Sequence, residues 1–120
     1  MSYEKGLQTV PEILEAIEKI GEYVKGMSFD EFAEDTKTID AVARNFEIIG
    51  EVKHIPLTMR ETYPGIPWKE MAGMRDKLIH DYFGVNLEIV WETIKRRLPE
   101  VNPLIKETLE KMEQEKDNQK

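Results

Sequence analysis

An all-α fold is what this sequence predicts, on three observations. No stretch alternates apolar and polar residues at period two over the length of a strand. Apolar residues recur instead three and four positions apart through each long segment. Those segments are bounded by capping boxes, entry prolines and exit glycines. The expected architecture is an up-and-down helical bundle of four main helices plus a C-terminal helix. At 120 residues the chain suits one domain with one core, over 1–113, followed by a frayed tail over 114–120.

The first helix is expected to start at the capping box of Thr9 and Glu12, with Pro11 in its first turn, where a missing N–H costs nothing. Val10, Ile13, Leu14, Ile17 and Val24 make its stripe, with Ile20 at the edge, and Gly26 ends it. Glu12, Glu15 and Glu18 read as its solvated face. Ser28 and Glu31 form a second capping box that opens a short turn. Thr36 or Thr38 is the expected cap of the next long helix. There Ile39, Val42, Phe46 and Ile49 repeat in the a/d pattern of a bundle seam, and Gly50 beside them would let another backbone approach. Ile55 before Pro56 stops this helix. His54 at its end reads as structural, since the helix dipole favours a cation there.

Residues 63–67, Tyr-Pro-Gly-Ile-Pro, form an ordered loop that aims the helix over 68–84. Asn86 should cap a helix over 87–98, whose apolar face is Leu87, Val90, Trp91, Ile94 and Leu98. Lys95, Arg96 and Arg97 fall in its last turn. The macrodipole accounts for them, and a phosphate backbone is the alternative contact. Pro99 and Pro103 should break and restart the helix, which Leu104, Ile105, Leu109 and Met112 continue.

Composition narrows the chemistry. Without cysteine there are no disulfides and no thiolate chemistry, and two histidines make a histidine-rich metal site improbable. No cofactor is expected. No apolar run reaches membrane-spanning length and no signal peptide opens the chain, so a cytoplasmic location is expected. The net charge of −7 argues against simple electrostatic capture of a polyanion, yet a local cationic cleft is compatible with it.

The helix over 68–84 carries the chemistry. On a wheel of roughly 100° per residue, Met71, Leu78 and Tyr82 lie on one side of Arg75, and Ala72 and Ile79 on the other. Arg75 thus projects from the apolar stripe, while Asp76 and His80 flank it. A guanidinium there needs a partner acid, for which Glu47 or Glu51 are candidates, or it lines a cleft for an anion. An arginine fork binds two phosphate oxygens, and histidine, with an ordinary pKa near neutrality, moves a proton. RNA supplies its own nucleophile, the 2′-hydroxyl. Arg75 and His80 with Asp76 as a positioning residue therefore suffice for metal-free RNA cleavage, provided a two-fold homodimer brings a second histidine to the cleft. A plain structural ion pair is the alternative.

Arg75, His80 and Tyr82 in the pattern R-x-x-x-x-H-x-Y resemble the signature of the HepT-like toxins, a branch of the HEPN superfamily. The similarity extends through Tyr63, Pro64, Gly65, Ile66, Pro67 and Trp68, through Phe83, Gly84 and Val85, and to the block from Arg44 to Glu51. It covers residues 7–112. The resemblance implies a HEPN-like bundle, a homodimer, and a metal-independent endoribonuclease toxin paired with an MntA-like nucleotidyltransferase antitoxin. It also implies that this partner attaches AMP to Tyr82, placing charge and bulk in the cleft. The competing reading is a non-catalytic helical dimer that binds a nucleotide or a nucleotidyltransferase.

Overall fold

The computed structural model describes residues 2–118. Helix α1 (Ser2–Tyr23) is followed by α2 (Phe29–Glu34) and α3 (Thr36–Ile49), which tightens into a 3₁₀ turn over Gly50–His54. A short α4 (Leu57–Thr62) leads to α5 (Trp68–Asp76), which widens into a π turn over Lys77–Tyr82. Helix α6 (Leu87–Glu92) runs through a second π turn (Thr93–Arg97) into α7 (Leu98–Asn118). No strand occurs among the described residues, so the fold is all-α as the patterning requires.

The core is the meeting line of the predicted stripes. Ile13, Ile17 and Ile20 of α1, Val42, Phe46 and Ile49 of α3, and Met71 of α5 are buried together with Val90 of α6, Ile94 of the π turn after it, and Val101 and Ile105 of α7. Helix α1 lies along both α3 and α7. Burying a side chain of this size fully contributes about 1.5–3 kcal/mol, so the a/d repeats dominate the favourable side of folding.

Local signals hold in some places and yield in others. Ser28 Oγ accepts from the Glu31 N–H at 3.2 Å, and the Glu31 carboxylate accepts from the Ser28 N–H at 3.0 Å, completing the predicted box. These bonds hold the Glu31 carboxyl below its ordinary pKa. Gly26 adopts φ +78°, the left-handed exit that favours glycine. Helix α3 is capped not by a threonine but by Asp35, which accepts from the Thr38 N–H at 3.1 Å. Asn86 precedes α6 without a side-chain cap.

The prolines show where tertiary packing overrides local preference. Helix α1 starts well before Thr9 and carries Pro11 inside it, because its early part packs: Gly6 is buried, with the Met59 thioether against it. Pro99 and Pro103 do not interrupt the C-terminal helix. A proline normally clashes with the carbonyl four residues back. Here the π turn immediately upstream shifts the ladder, with Leu98 N–H donating to Thr93 O, so Pro99 enters a helix already opened to receive it. Helix α7 continues through the expected tail region to Asn118, and on the way the Tyr63 hydroxyl donates to Glu115; residues 119–120 of that tail lie outside the described residues.

One contact sets the position of α5. Its π-turn extension and its body lie against the end of α3 and the turn after it, and Gly50 is a point of close approach. A Cβ built on Gly50 would sit 2.7 Å from Arg75 Cβ and 2.8 Å from Arg75 Cγ. The expected close approach is thus made by an arginine stem. Gly50 has φ −63°, so its backbone demands no glycine, and alanine would ordinarily gain up to about 1 kcal/mol in a helical position. The clash reverses that sign, because Arg75 Cβ is fixed to its own backbone and cannot swing away. Gly50→Ala should lower stability by about 1–3 kcal/mol in urea titration. A variant as stable as the parent or more so would mean that α5 is not seated on Gly50.

Candidate functional site

The frame that holds the motif helix is built from two side chains with structural tasks. The Arg60 guanidinium donates to the carbonyls of Ile55 (2.9 Å), Val52 (3.1 Å) and Lys53 (2.7 Å), closing the 3₁₀ turn that α5 rests on. The buried Trp68 indole N–H donates to Tyr63 O at 2.8 Å, folding the proline-rich loop back on the start of α5. Helix α5 then buries Met71, Met74 and Leu78. Phe83 at the far end packs edge-on against Phe46 of α3, with ring centres 6.1 Å apart. The motif is therefore fixed at both ends.

Between those ends the π turn decides which side chains meet. Phe83 N–H donates to Leu78 O at 2.8 Å, five residues back. In a regular α-helix, residues five apart diverge by roughly 140°. An i→i+5 turn advances less per residue and brings such a pair to one side. Arg75 Nη1 accordingly lies 3.4 Å from His80 Nε2 and 2.9 Å from Asp76 Oδ1. With Nε2 unprotonated, His80 accepts from the guanidinium in this contact. Asp76 holds the same Nη1 in place. Among the described residues, Arg75 Nε and Nη2 have no hydrogen-bond partner. The Arg75 side chain is 28% exposed: its stem is packed, and the Nε–Nη2 edge is left to receive two oxygens of one anion.

The remaining predicted residues fall elsewhere. Glu47 pairs with Arg44 at 3.6 Å and Glu51 with His54 at 3.5 Å, so neither acid is the partner of Arg75. That partner is the adjacent Asp76, which a helical wheel does not suggest because neighbours in sequence diverge on a helix. Lys95 sits over the Trp91 ring, 5.3 Å from its centre, and Arg96 lies 3.4 Å from Glu92. Arg97 makes a bidentate pair with Glu70 at 2.5 Å for both bonds and reaches Glu100 at 3.3 Å. The bond from Arg97 holds the Glu70 carboxyl below its ordinary range. All three cations of this run are thus engaged within the protein.

Tyr82 is turned away from Arg75 by the same π turn that brings His80 in. No hydrogen bond joins Tyr82 to Arg75 among the described residues. Tyr82 instead lines a groove of about 600 Å³ between α5 and α6, over a floor of Met74, Leu78 and Ile89. Lys69 and Lys77 stand on its rim, and the Glu70–Arg97 pair bridges it. Sequence reasoning missed this groove, since nothing in a 27-residue separation links Glu70 to Arg97. One signal for the π turn was present: an interval of five is wrong for an α-helical contact and right for a π turn.

Among the described residues no three His, Asp or Glu side chains converge as metal ligands would, and no helix is long and apolar enough to cross a membrane.

Comparison with known proteins places these features in a group. Residues 13–108 match the family model described as ribonuclease HepT-like. A protein of Caldanaerobacter subterraneus subsp. tengcongensis, named as a candidate RNase, is 52% identical over 100 residues, spanning 82% of this chain and 89% of its own. A Thermococcus cleftensis protein named "Probable ribonuclease HepT" is 51% identical over 89 residues, covering 73% of this chain and 81% of its own. A Methanocaldococcus jannaschii protein, also named as a candidate RNase, is 44% identical over 108 residues, 89% of each chain. No solved structure matches.

Proposed function

This chain belongs to the HepT-like family of ribonucleases, and on that premise we propose that it is a metal-independent endoribonuclease, the toxin of a cytoplasmic toxin–antitoxin pair. The observation that carries the mechanism is the 3.4 Å contact between Arg75 Nη1 and His80 Nε2 beside an unpartnered guanidinium edge. As the guanidinium turns to the phosphate it frees the lone pair of His80 Nε2, which takes the proton of a ribose 2′-hydroxyl, and the 2′-oxygen attacks the adjacent phosphorus. The Arg75 edge binds two non-bridging oxygens and stabilises the charge that builds on them. Asp76 keeps the guanidinium aimed. The bond to the 5′-oxygen breaks, leaving a 2′,3′-cyclic phosphate on one fragment and a 5′-hydroxyl on the other. The leaving oxygen needs a proton, which a second His80 would give across a two-fold homodimer.

The net charge of −7 and the internal pairing of Lys95, Arg96 and Arg97 favour one other reading, a helical dimer that binds a nucleotidyltransferase without turnover. Cleavage separates the two. Purified protein should cut single-stranded RNA in the presence of chelator. His80→Ala should lose about 10²–10⁴-fold, the span typical of general acid–base work. Arg75→Lys should also be poor, because a point charge cannot replace the fork. Equal activity of wild type and His80→Ala, or activity abolished by chelator, would reject this mechanism.

Regulation is proposed at Tyr82, by attachment of AMP from a cognate MntA-like nucleotidyltransferase. Its hydroxyl has no hydrogen-bond partner among the described residues, and the residue lines an open groove that such an enzyme could enter. After incubation with that partner and ATP, intact-mass measurement should show an AMP-sized increment on wild type and none on Tyr82→Phe. Equal labelling of both would assign Tyr82 to packing alone.

A further inference from the structure

We propose that the groove between α5 and α6 is a subsite for a nucleotide of the single-stranded RNA substrate, with its base on the apolar floor against Tyr82 and its backbone on Lys69 and Lys77. The proposal rests on the ribonuclease reading and adds where the strand runs. Its first support is shape. The groove measures about 600 Å³, and its floor of Met74, Leu78 and Ile89 is apolar, with Ile89 exposed. An unstacked base needs such a surface, and an aromatic ring beside it adds stacking of any base.

The second support is charge. The chain carries 24 acids against 17 bases, so an excess of cations along one rim is not the background of this surface. Lys69, Lys77 and Arg97 line this groove against a single acid, Glu70. Arg97 and Glu70 neutralise each other, but among the described residues neither Lys69 nor Lys77 has an ion-pair partner, and both are exposed. Two unpaired cations above an apolar floor complement one segment of nucleic acid: phosphate outside, base inside.

The third support is register. Lys77, His80 and Tyr82 share one π turn. The turn sends His80 toward Arg75 and Tyr82 into the groove, so the pair and the groove lie on different sides of one helical segment, and a strand that used both would wrap around it. A nucleotide attached to Tyr82 would fill the same space and exclude the strand.

Binding tests this apart from the reaction. The probe is a fluorescent single-stranded RNA of about a dozen nucleotides, long enough for one site. It is titrated by anisotropy against His80→Ala protein, which cannot cleave it, across a range of salt. Replacing both Lys69 and Lys77 by alanine in that background should weaken binding. It should also flatten the plot of log affinity against log salt by about 1.4, or about 0.7 for each phosphate no longer neutralised. Tyr82→Ala, which removes the stacking ring, should weaken binding at least about fivefold at constant salt slope. A duplex of the same sequence should be indifferent to Tyr82→Ala, since its bases stay stacked. Affinity and slope unchanged in both variants would overturn the subsite. So would a groove whose substitutions alter oligomeric state in light scattering and leave RNA binding alone, which would make it a protein interface. His80-dependent cleavage with an unresponsive groove would leave the reaction standing without the subsite. Groove-dependent binding with no cleavage would leave the subsite standing without the reaction.

Discussion

A guanidinium cannot be buried without a partner, yet a reactive arginine must be held still by something. In this protein the two demands fall on different parts of one side chain. The alkyl stem of Arg75 is clamped against Gly50, where not even a methyl group would fit. The head meets Asp76 and His80 and keeps one edge open. The stem contact fixes α5 on the end of α3, and much of the remaining architecture serves that contact. Arg60 closes the 3₁₀ turn that presents Gly50, Trp68 fixes the start of α5, and Phe83 against Phe46 fixes its end.

The π turn is the second constraint. It converts a spacing of five from a divergence into a contact, and so makes Arg75 and His80 one unit. The same change of pitch rotates Tyr82 off that unit and into the adjacent groove. Two surfaces arise from one short segment, one suited to a phosphate and one to a base or an attached nucleotide. A second π turn, at residues 93–97, faces the groove from the other side through Thr93 and Arg97. There it also admits Pro99 without ending the helix.

Much of this was legible in the sequence because it depends on periodicity. The a/d repeat of Val42, Phe46 and Ile49, the box at Ser28 and the exit at Gly26 are local rules that tertiary structure left intact. The unusual setting of Arg75 was legible too, as a charge in an apolar stripe. What failed to show was whatever depends on pitch or on distant partners. A wheel of constant pitch places Tyr82 beside Arg75 and His80 apart from it, and the π turn exchanges them. Glu47 and Glu51 looked like partners for Arg75, but each found another partner on its own helix or turn, Arg44 and His54. Lys95, Arg96 and Arg97 read as a last-turn cluster, and only the folded chain shows Arg97 clasping Glu70 from another helix. Pro11, Pro99 and Pro103 looked like boundaries because the packing that carries helices across them is non-local.

The central claim is that Arg75 and His80 act on a phosphate whose nucleophile comes from the RNA itself. The chemistry of the cut ends tests it most directly. Fragments of a defined single-stranded RNA, cut by this protein in chelator, can be identified by mass spectrometry. Internal attack predicts a 2′,3′-cyclic phosphate, or the monophosphate it opens to, on one side of each cut and a 5′-hydroxyl on the other. Fragments ending in a 3′-hydroxyl and a 5′-phosphate, the signature of attack by water on the other face of the phosphate, would contradict the account.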